Sequence, residues 1–490
     1  ANEDGPAAQR RWMCPMRETM RLLIAMTIAF AAYACSFAPR HVQPDLPTAP
    51  IYPESYAGDT TSGRKPPALA WHDFFADPRL EALVQRALDN NRDLEIAVAQ
   101  VDEARARYRI QRADRLPTLG VSAAAVRNHA GPEALASNGG VNAPANTAIT
   151  YERYSLGASV AAFELDFWGR VRNLSNAARA EYLATAAAAR SFRLSLIREV
   201  ANAYFTSLEA RERLQLATAT VQSRRDGLRI AKRRLDAGVT SALDYSQAET
   251  LLTQAEIELA ALQLSLAQSD NLLTSLIGAP IDDLPNAMPL ADQAHLETLA
   301  AGLPSELLTA RPDIIAAEER LRAARANIGA ARAAFLPSIT LTGTYGYASN
   351  ELDDLVGKDW LTWSYGASIS LPLFDYGRRR ANLDVAKARE IQAVANYERT
   401  IQEGFREVSD ALAGRKFLAE QVDAQQRATL AQRRLAELAR TRYREGVVGY
   451  LEVLDAERNL FAAEQALLQV RRAEVSNLVS LYVALGGGLF

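Results

Sequence analysis

Three carboxylates, Asp244, Glu452 and Asp455, follow a glycine within a stretch that the chain carries twice. Asp244 lies six residues after Gly238 and Glu452 six residues after Gly446. With the two glycines aligned, Val239 falls on Val447, Leu243 on Leu451, Ala248 on Ala456 and Glu249 on Glu457. Each copy reads as a reversal between two helical patterns, because a glycine just past a helix end supplies the left-handed turn that stops it. A single carboxylate near the start of the returning helix is accounted for by the helix dipole. Repeated around an axis by several chains, such carboxylates form rings of negative charge. Rings of that kind attract cations and can hold a pore shut against Arg or Tyr donors. Tyr443 and Arg444, just before Gly446, are donors of that type. A different chemistry is offered by Cys35, whose thiol can take a covalent lipid. It follows Ala32-Tyr33-Ala34 and the apolar run Leu22 to Ala32, which reads as a signal peptide. That run is too short to span a bilayer as a helix, which takes about 20 residues.

Little else in the chain suggests chemistry. The charges are balanced, 55 basic against 58 acidic, and interleaved, so no nucleic-acid partner is indicated. Cys14 and Cys35 both lie near the N-terminus, which leaves the body without a disulfide framework or thiolate metal site. His41, His72, His129 and His295 lack ligand spacing. There is no nucleophile elbow and no phosphate-cradling glycine loop. Asp353-Asp354 falls in a loop between strands, where a solvated surface is the simpler reading. The expectation is a protein that is not an enzyme and has no cofactor beyond a lipid on Cys35.

The elements that position the tips form a tandem repeat. Residues 1–34 are upstream sequence and signal peptide, with Met16 or Met20 as the expected start. Residues 35–76 form a lipidated arm rich in Pro, Thr, Ser and Gly, and 77–281 are the first repeat. A proline-rich connector occupies 282–304, and 305–490 are the second repeat. In the first repeat a helix is capped by Asp77-Pro78 and runs to about Arg115. Leu116-Pro117 ends it. Leu119, Val121, Ala123 and Ala125 then alternate with mostly small residues, and Tyr154 to Ala162 alternate in the same way, as two strands. A helical pattern from about Asn173 to Ala237 is about 100 Å long at 1.5 Å per residue. After Gly238 a returning helix ends at Gly278-Ala279-Pro280. The second repeat has Leu336-Pro337, strands around Ile339–Tyr347 and Tyr365–Leu371, a long helix to Glu445, and a return after Gly446. Phe374-Asp-Tyr-Gly-Arg378 echoes Leu165-Asp-Phe-Trp-Gly-Arg170.

Each strand has an apolar face and a face of Ser, Thr, Gly and Ala, the alternation of a transmembrane β-barrel. Four strands cannot close a barrel, and open edges are not tolerated in hydrocarbon. Closure therefore requires several chains, and three would give twelve strands. The expected fold is a membrane β-barrel continued by a long α-helical barrel, four strands from each chain of a trimer.

In Arg442-Tyr443-Arg444-Glu445-Gly446, Leu451-Glu-Val-Leu-Asp455, the duplicated Leu-Pro and the terminal Leu-Gly-Gly-Gly, the sequence resembles the TolC-like outer-membrane factors. The cysteine after the signal peptide points to their lipoprotein branch. The resemblance covers nearly the whole mature chain. It implies a homotrimeric channel, anchored in the outer membrane by lipid, with a long periplasmic extension. It also implies docking to a periplasmic adaptor and an inner-membrane pump of the resistance-nodulation-division type, for export of drugs or other small molecules. Residue by residue, it places aspartate rings on Glu452 and Asp455, a constricting leucine on Leu451, gating donors on Tyr443 and Arg444, and a locking acceptor on Asp244. The expectation drawn from it is that Asp244 accepts from Tyr443 or Arg444 in the closed state. The rival is a periplasmic coiled-coil adaptor or structural lipoprotein without a pore, which leaves the duplicated strands without a role.

Overall fold

The computed structural model describes residues 37–57, 69–131, 148–293, 299–302 and 304–488. Cys35 and the signal region lie outside the described residues. In chain order the helices are α1 (Glu54–Ala57), α2 (Trp71–Phe74), α3 (Pro78–Asn90), α4 (Arg92–Ala113), α5 (Arg170–Asp236), α6 (Ala242–Ile277), α7 (Leu307–Ala310), α8 (Pro312–Ala333), α9 (Arg378–Arg444) and α10 (Tyr450–Ala484). The strands are β1 (Leu119–Ala130), β2 (Ile149–Glu164), β3 (Ser338–Ser349) and β4 (Leu361–Ser370). Contacts divide the chain into two units. One takes residues 103–182 and 319–394 with the arm up to Gln43; the other takes 44–102, 183–318 and 395–490.

The first unit holds one antiparallel sheet in the order β1-β2-β3-β4. Register puts Leu119 opposite Val160, Val121 opposite Ala158 and Ala123 opposite Leu156. Leu156 continues onto Tyr347 and Ala158 onto Tyr345, and these meet Leu361 and Trp363 of β4. One face is therefore apolar and aromatic across all four strands. The other carries Ser122, Gly157, Ser159, Thr344, Gly346, Ser364 and Gly366. The apolar face is bare: Tyr365 is 82% exposed and Trp363, stacked on it with ring centroids 5.6 Å apart, is 63% exposed. A sheet in water does not leave such a surface uncovered; lipid covers it, and Trp and Tyr favour its interface. Gly157 and Gly346 pair directly between β2 and β3. A Cβ on Gly346 would lie 2.3 Å from the Leu156 carbonyl oxygen, so the two strands meet there with no room for a side chain. Among the described residues β1 and β4 each have one pairing partner, and their outer edges are free.

In the same unit Ala177 and Ala180 of α5 pack on Ala323 and Ala326 of α8, the close approach that small residues allow. The arm lies along α8, held by Arg332 donating to the Phe37 carbonyl at 3.0 Å and Arg325 to that of Val42 at 2.8 Å.

In the second unit Asp77 caps α3, accepting from the Arg79 amide at 2.9 Å with Pro78 in the first helical position. The single helix expected from Asp77 to about Arg115 is instead two, broken at Asn91. Asn91 is extended, its side-chain amide donates to the Leu276 carbonyl at 2.7 Å, and its Oδ1 accepts from the Leu94 amide at 2.9 Å. A buried asparagine thus caps the second helix while tying the break to α6. Arg311 takes the same place in the second repeat: it is extended between α7 and α8 and donates to the Ala484 carbonyl at 2.9 Å. The terminal glycine run packs against the start of the unit, where Tyr482 donates to the Leu69 carbonyl at 2.8 Å and Gly488 bridges to Ala70.

Candidate gate at the hairpin tips

Both reversals lie in the second unit and use one backbone solution. The Gly238 amide donates to the Leu235 carbonyl at 2.9 Å and the Val239 amide to that of Arg234 at 2.8 Å. In the second copy Gly446 donates to Tyr443 at 3.0 Å and Val447 to Arg442 at 2.9 Å. The glycines have φ of 72° and 74°, the left-handed cap in which glycine carries no Cβ penalty. The duplicated sequence is thus a duplicated turn.

The restarts differ. α6 begins with a capping box in which the Asp244 amide donates to the Ser241 hydroxyl and the Asp244 carboxylate accepts from the Ser241 amide. The carboxylate also accepts from the Thr240 hydroxyl at 2.6 Å and from the Ser241 hydroxyl at 3.1 Å. These donors, Thr240 foremost, hold the Asp244 carboxyl below its ordinary pKa. Within the chain the expected bond from Tyr443 or Arg444 to Asp244 is therefore not made, because Asp244 is committed to its own helix end. α10 starts after Gly449 with no side-chain cap, which leaves Glu452 to pair with Arg442 across its own tip.

Tyr443 is instead engaged by Arg234 of the first hairpin. The Arg234 guanidinium donates to the Tyr443 hydroxyl, and its central carbon lies 5.3 Å from the ring centroid. The other neighbour of Tyr443 is Tyr450, with centroids 5.2 Å apart. Burial pushes the Tyr450 hydroxyl up to about 12, so it is neutral at any physiological pH. Arg444 donates to the Thr441 hydroxyl at 3.2 Å, and Asp455 pairs with Arg458 at 2.9 Å on an exposed face. Leu451 is half exposed, as is its repeat equivalent Leu243. The structure thus brings Tyr443, Tyr450 and Arg234 together and leaves Asp455 and Leu451 facing solvent. Arg234 was not singled out by sequence. The signal for it was the repeat: it stands four residues before Gly238 as Arg442 stands four before Gly446. The arrangement can make and break ion pairs and hydrogen bonds at a helical tip.

A sheet with one apolar face and free edges, together with long hairpins ending in charged, glycine-turned tips, defines a subunit of a membrane channel. The family model for outer membrane efflux protein matches residues 83–279 and 303–487. The chain is 40% identical over 467 residues to the cation efflux system protein CusC of Escherichia coli K12, covering 95% of this chain and 99% of that one. It is 40% identical over 480 residues to the toluene efflux pump outer membrane protein TtgC of Pseudomonas putida, covering 96% of each. The solved open state of the Neisseria gonorrhoeae MtrE outer membrane channel superposes with a TM-score of 0.83 at 39% identity, over 93% of this chain and 99% of that one. The chain belongs to the outer membrane efflux protein family.

Proposed function

We propose that this outer-membrane efflux channel is a passive exit duct built from three copies, closed at its periplasmic end by the hairpin tips. The observation that carries this reading is the pair of free edges. In hydrocarbon the unpaired amides and carbonyls of β1 and β4 need partners, and a neighbouring copy supplies them when its β4 meets this β1. Three copies make a twelve-stranded barrel. The helices that flank those edges agree: α4, which leads into β1, buries no side chain in its own chain. Val385 and Ile391 of α9, which follows β4, are likewise exposed. Side chains left bare on the helices beside both edge strands are what a ring of copies covers.

At the tips, Asp455 and Glu452 repeated around the axis are the charged rings, Leu451 the apolar collar, and Tyr443 with Arg444 the donors that hold the closed state. Asp244 fixes the first hairpin so that Arg234 can reach Tyr443. The channel works with a periplasmic adaptor and an inner-membrane pump, here of the resistance-nodulation-division type. Relatives named for cations and for toluene lie at the same identity, which supports a duct that leaves cargo choice to the pump. A lipid on Cys35 adds an anchor in the outer membrane. No catalytic step is part of this reading, and a pore-less adaptor has no use for the bare apolar sheet.

The test is conductance in a planar bilayer for wild type and Asp455→Ala. Small, cation-preferring wild-type steps that grow in the variant support the duct and its gate. Equal steps move the gate away from Asp455, and silence from both folded proteins overturns the duct.

A further inference from the structure

The sheet has a seam inside the chain, where β2, the last strand of the first repeat, pairs with β3, the first strand of the second. Beyond the paired strands, the Leu165 amide donates to the Ile339 carbonyl at 2.8 Å. Trp168, in the turn after β2, donates its Nε1 to the Pro337 carbonyl at 2.7 Å. Pro337 belongs to the Leu336-Pro337 pair that leads into β3. The indole therefore locks the end of one repeat to the entrance of the next.

The repeat has equivalents of both halves of this lock, one beside each edge strand of the sheet. Gly169 and Gly377 are equivalent, with φ of 74° and 84°, so Tyr376 precedes its glycine as Trp168 does, but in a turn one residue shorter and, unlike Trp168, with a positive φ. Leu116-Pro117 stands where Leu336-Pro337 does. Trp168 and Leu336 are half-buried, whereas Tyr376 is 92% exposed and Leu116 70% exposed. Tyr376 follows the free edge strand β4, and Leu116-Pro117 precedes the free edge strand β1.

The turn that carries Tyr376 is braced by Asp375. Asp375 accepts from the Gly377 amide at 3.2 Å, the Arg379 amide at 3.1 Å and the Arg379 Nε at 2.7 Å. Tyr376 has φ of 55°, a left-handed conformation that a bulky residue rarely adopts. The turn thus holds an aromatic side chain, with Phe374 at 4.6 Å between ring centroids, outside its own chain. Beside Leu116 a cleft of about 680 Å³, lined by Arg109, Arg112, Phe163 and Phe167 among others, offers guanidinium groups and apolar walls to aromatic rings.

We propose that Tyr376 of one copy docks on Leu116-Pro117 of the next, its hydroxyl donating to the Pro117 carbonyl and Phe374 entering the cleft beside Leu116. The seam between subunits then repeats the seam between repeats, with tyrosine in place of tryptophan. This inference rests on the ring of copies proposed above.

The test places a benzophenone amino acid at position 376 in the full-length, membrane-assembled protein. After illumination, the denatured dimer band is digested and its cross-linked peptides identified, and a parallel unilluminated sample is sized. A dimer joined through the tryptic peptide 116–127 supports the contact. A companion Tyr376→Phe should lower the temperature at which the assembly dissociates while leaving assembly itself intact. If the unilluminated sample is a trimer but cross-links fall elsewhere, the proposed contact is wrong and the ring of copies stands. If the wild-type protein does not assemble, both fail.

Discussion

Removing one oxygen atom from Tyr443 should loosen the closed tip. Tyr443→Phe keeps the ring, and with it the stacking of Arg234 and the contact with Tyr450. It deletes only the acceptor that Arg234 uses to tie the first hairpin to the second. A hydrogen bond to a charged donor contributes about 1.5 to 3 kcal/mol. The pair is only part-buried, so solvent screening places it near the lower end, about 1.5 kcal/mol. If the bond is made only in the closed state, its loss shifts the closed-to-open ratio about tenfold. Single-channel recording in a planar bilayer reads this as open time. Arg234→Ala should open the channel at least as far, because it also removes the cation over the ring. The double variant should add little to Arg234→Ala alone, since both changes break one contact. An unchanged open time in Tyr443→Phe, or fully additive effects in the double variant, would refute a closed state held by this pair.

Three further outcomes follow from the geometry. The depressed pKa of Asp244 means its cap stabilises the tip above the ordinary carboxylate range and is lost as pH falls through the lowered value. Hydrogen-exchange protection at the start of α6 should show that acid loss in wild type and no such step in Asp244→Ala. Gly346→Val forces a side chain to within 2.3 Å of the Leu156 carbonyl oxygen, so it should cost about 1–3 kcal/mol and lower the thermal stability of the assembly. At Gly343 the nearest atom to an added Cβ is 3.8 Å away, so Gly343→Val should be tolerated in the same assay. Asp77 is buried and accepts from Tyr204 at 2.5 Å and Gln293 at 2.5 Å besides capping α3. Asp77→Ala should therefore cost about 3 kcal/mol in unfolding experiments, and Tyr204→Phe about 1 kcal/mol.

The period-two alternation of the strands was legible because it sets a whole apolar face against a face of small and polar residues. The glycines at 238 and 446 were legible because their surroundings repeat. The break at Asn91 was not, since an asparagine between two helical stretches shows its role only once the Leu276 carbonyl arrives from 185 residues away. The partner of Tyr443 was hidden for the same reason, 209 residues separating it from Arg234. Asp244 shows the reverse. Its bonds within the chain are written locally, in Thr240-Ser241 and the spacing of a capping box. Asp77 was read as a cap, which it is; that one carboxylate also gathers Tyr204 and Gln293 depended on packing that no local pattern encodes.

The ring of copies is the claim on which the barrel, the gate and the subunit seam all depend. Native mass spectrometry of the protein extracted from outer membranes in mild detergent measures it most directly. A single assembly of three chains is expected. A stable monomer or dimer, with the chain folded, would contradict it, because the free edges of β1 and β4 would then have to be satisfied in some other way.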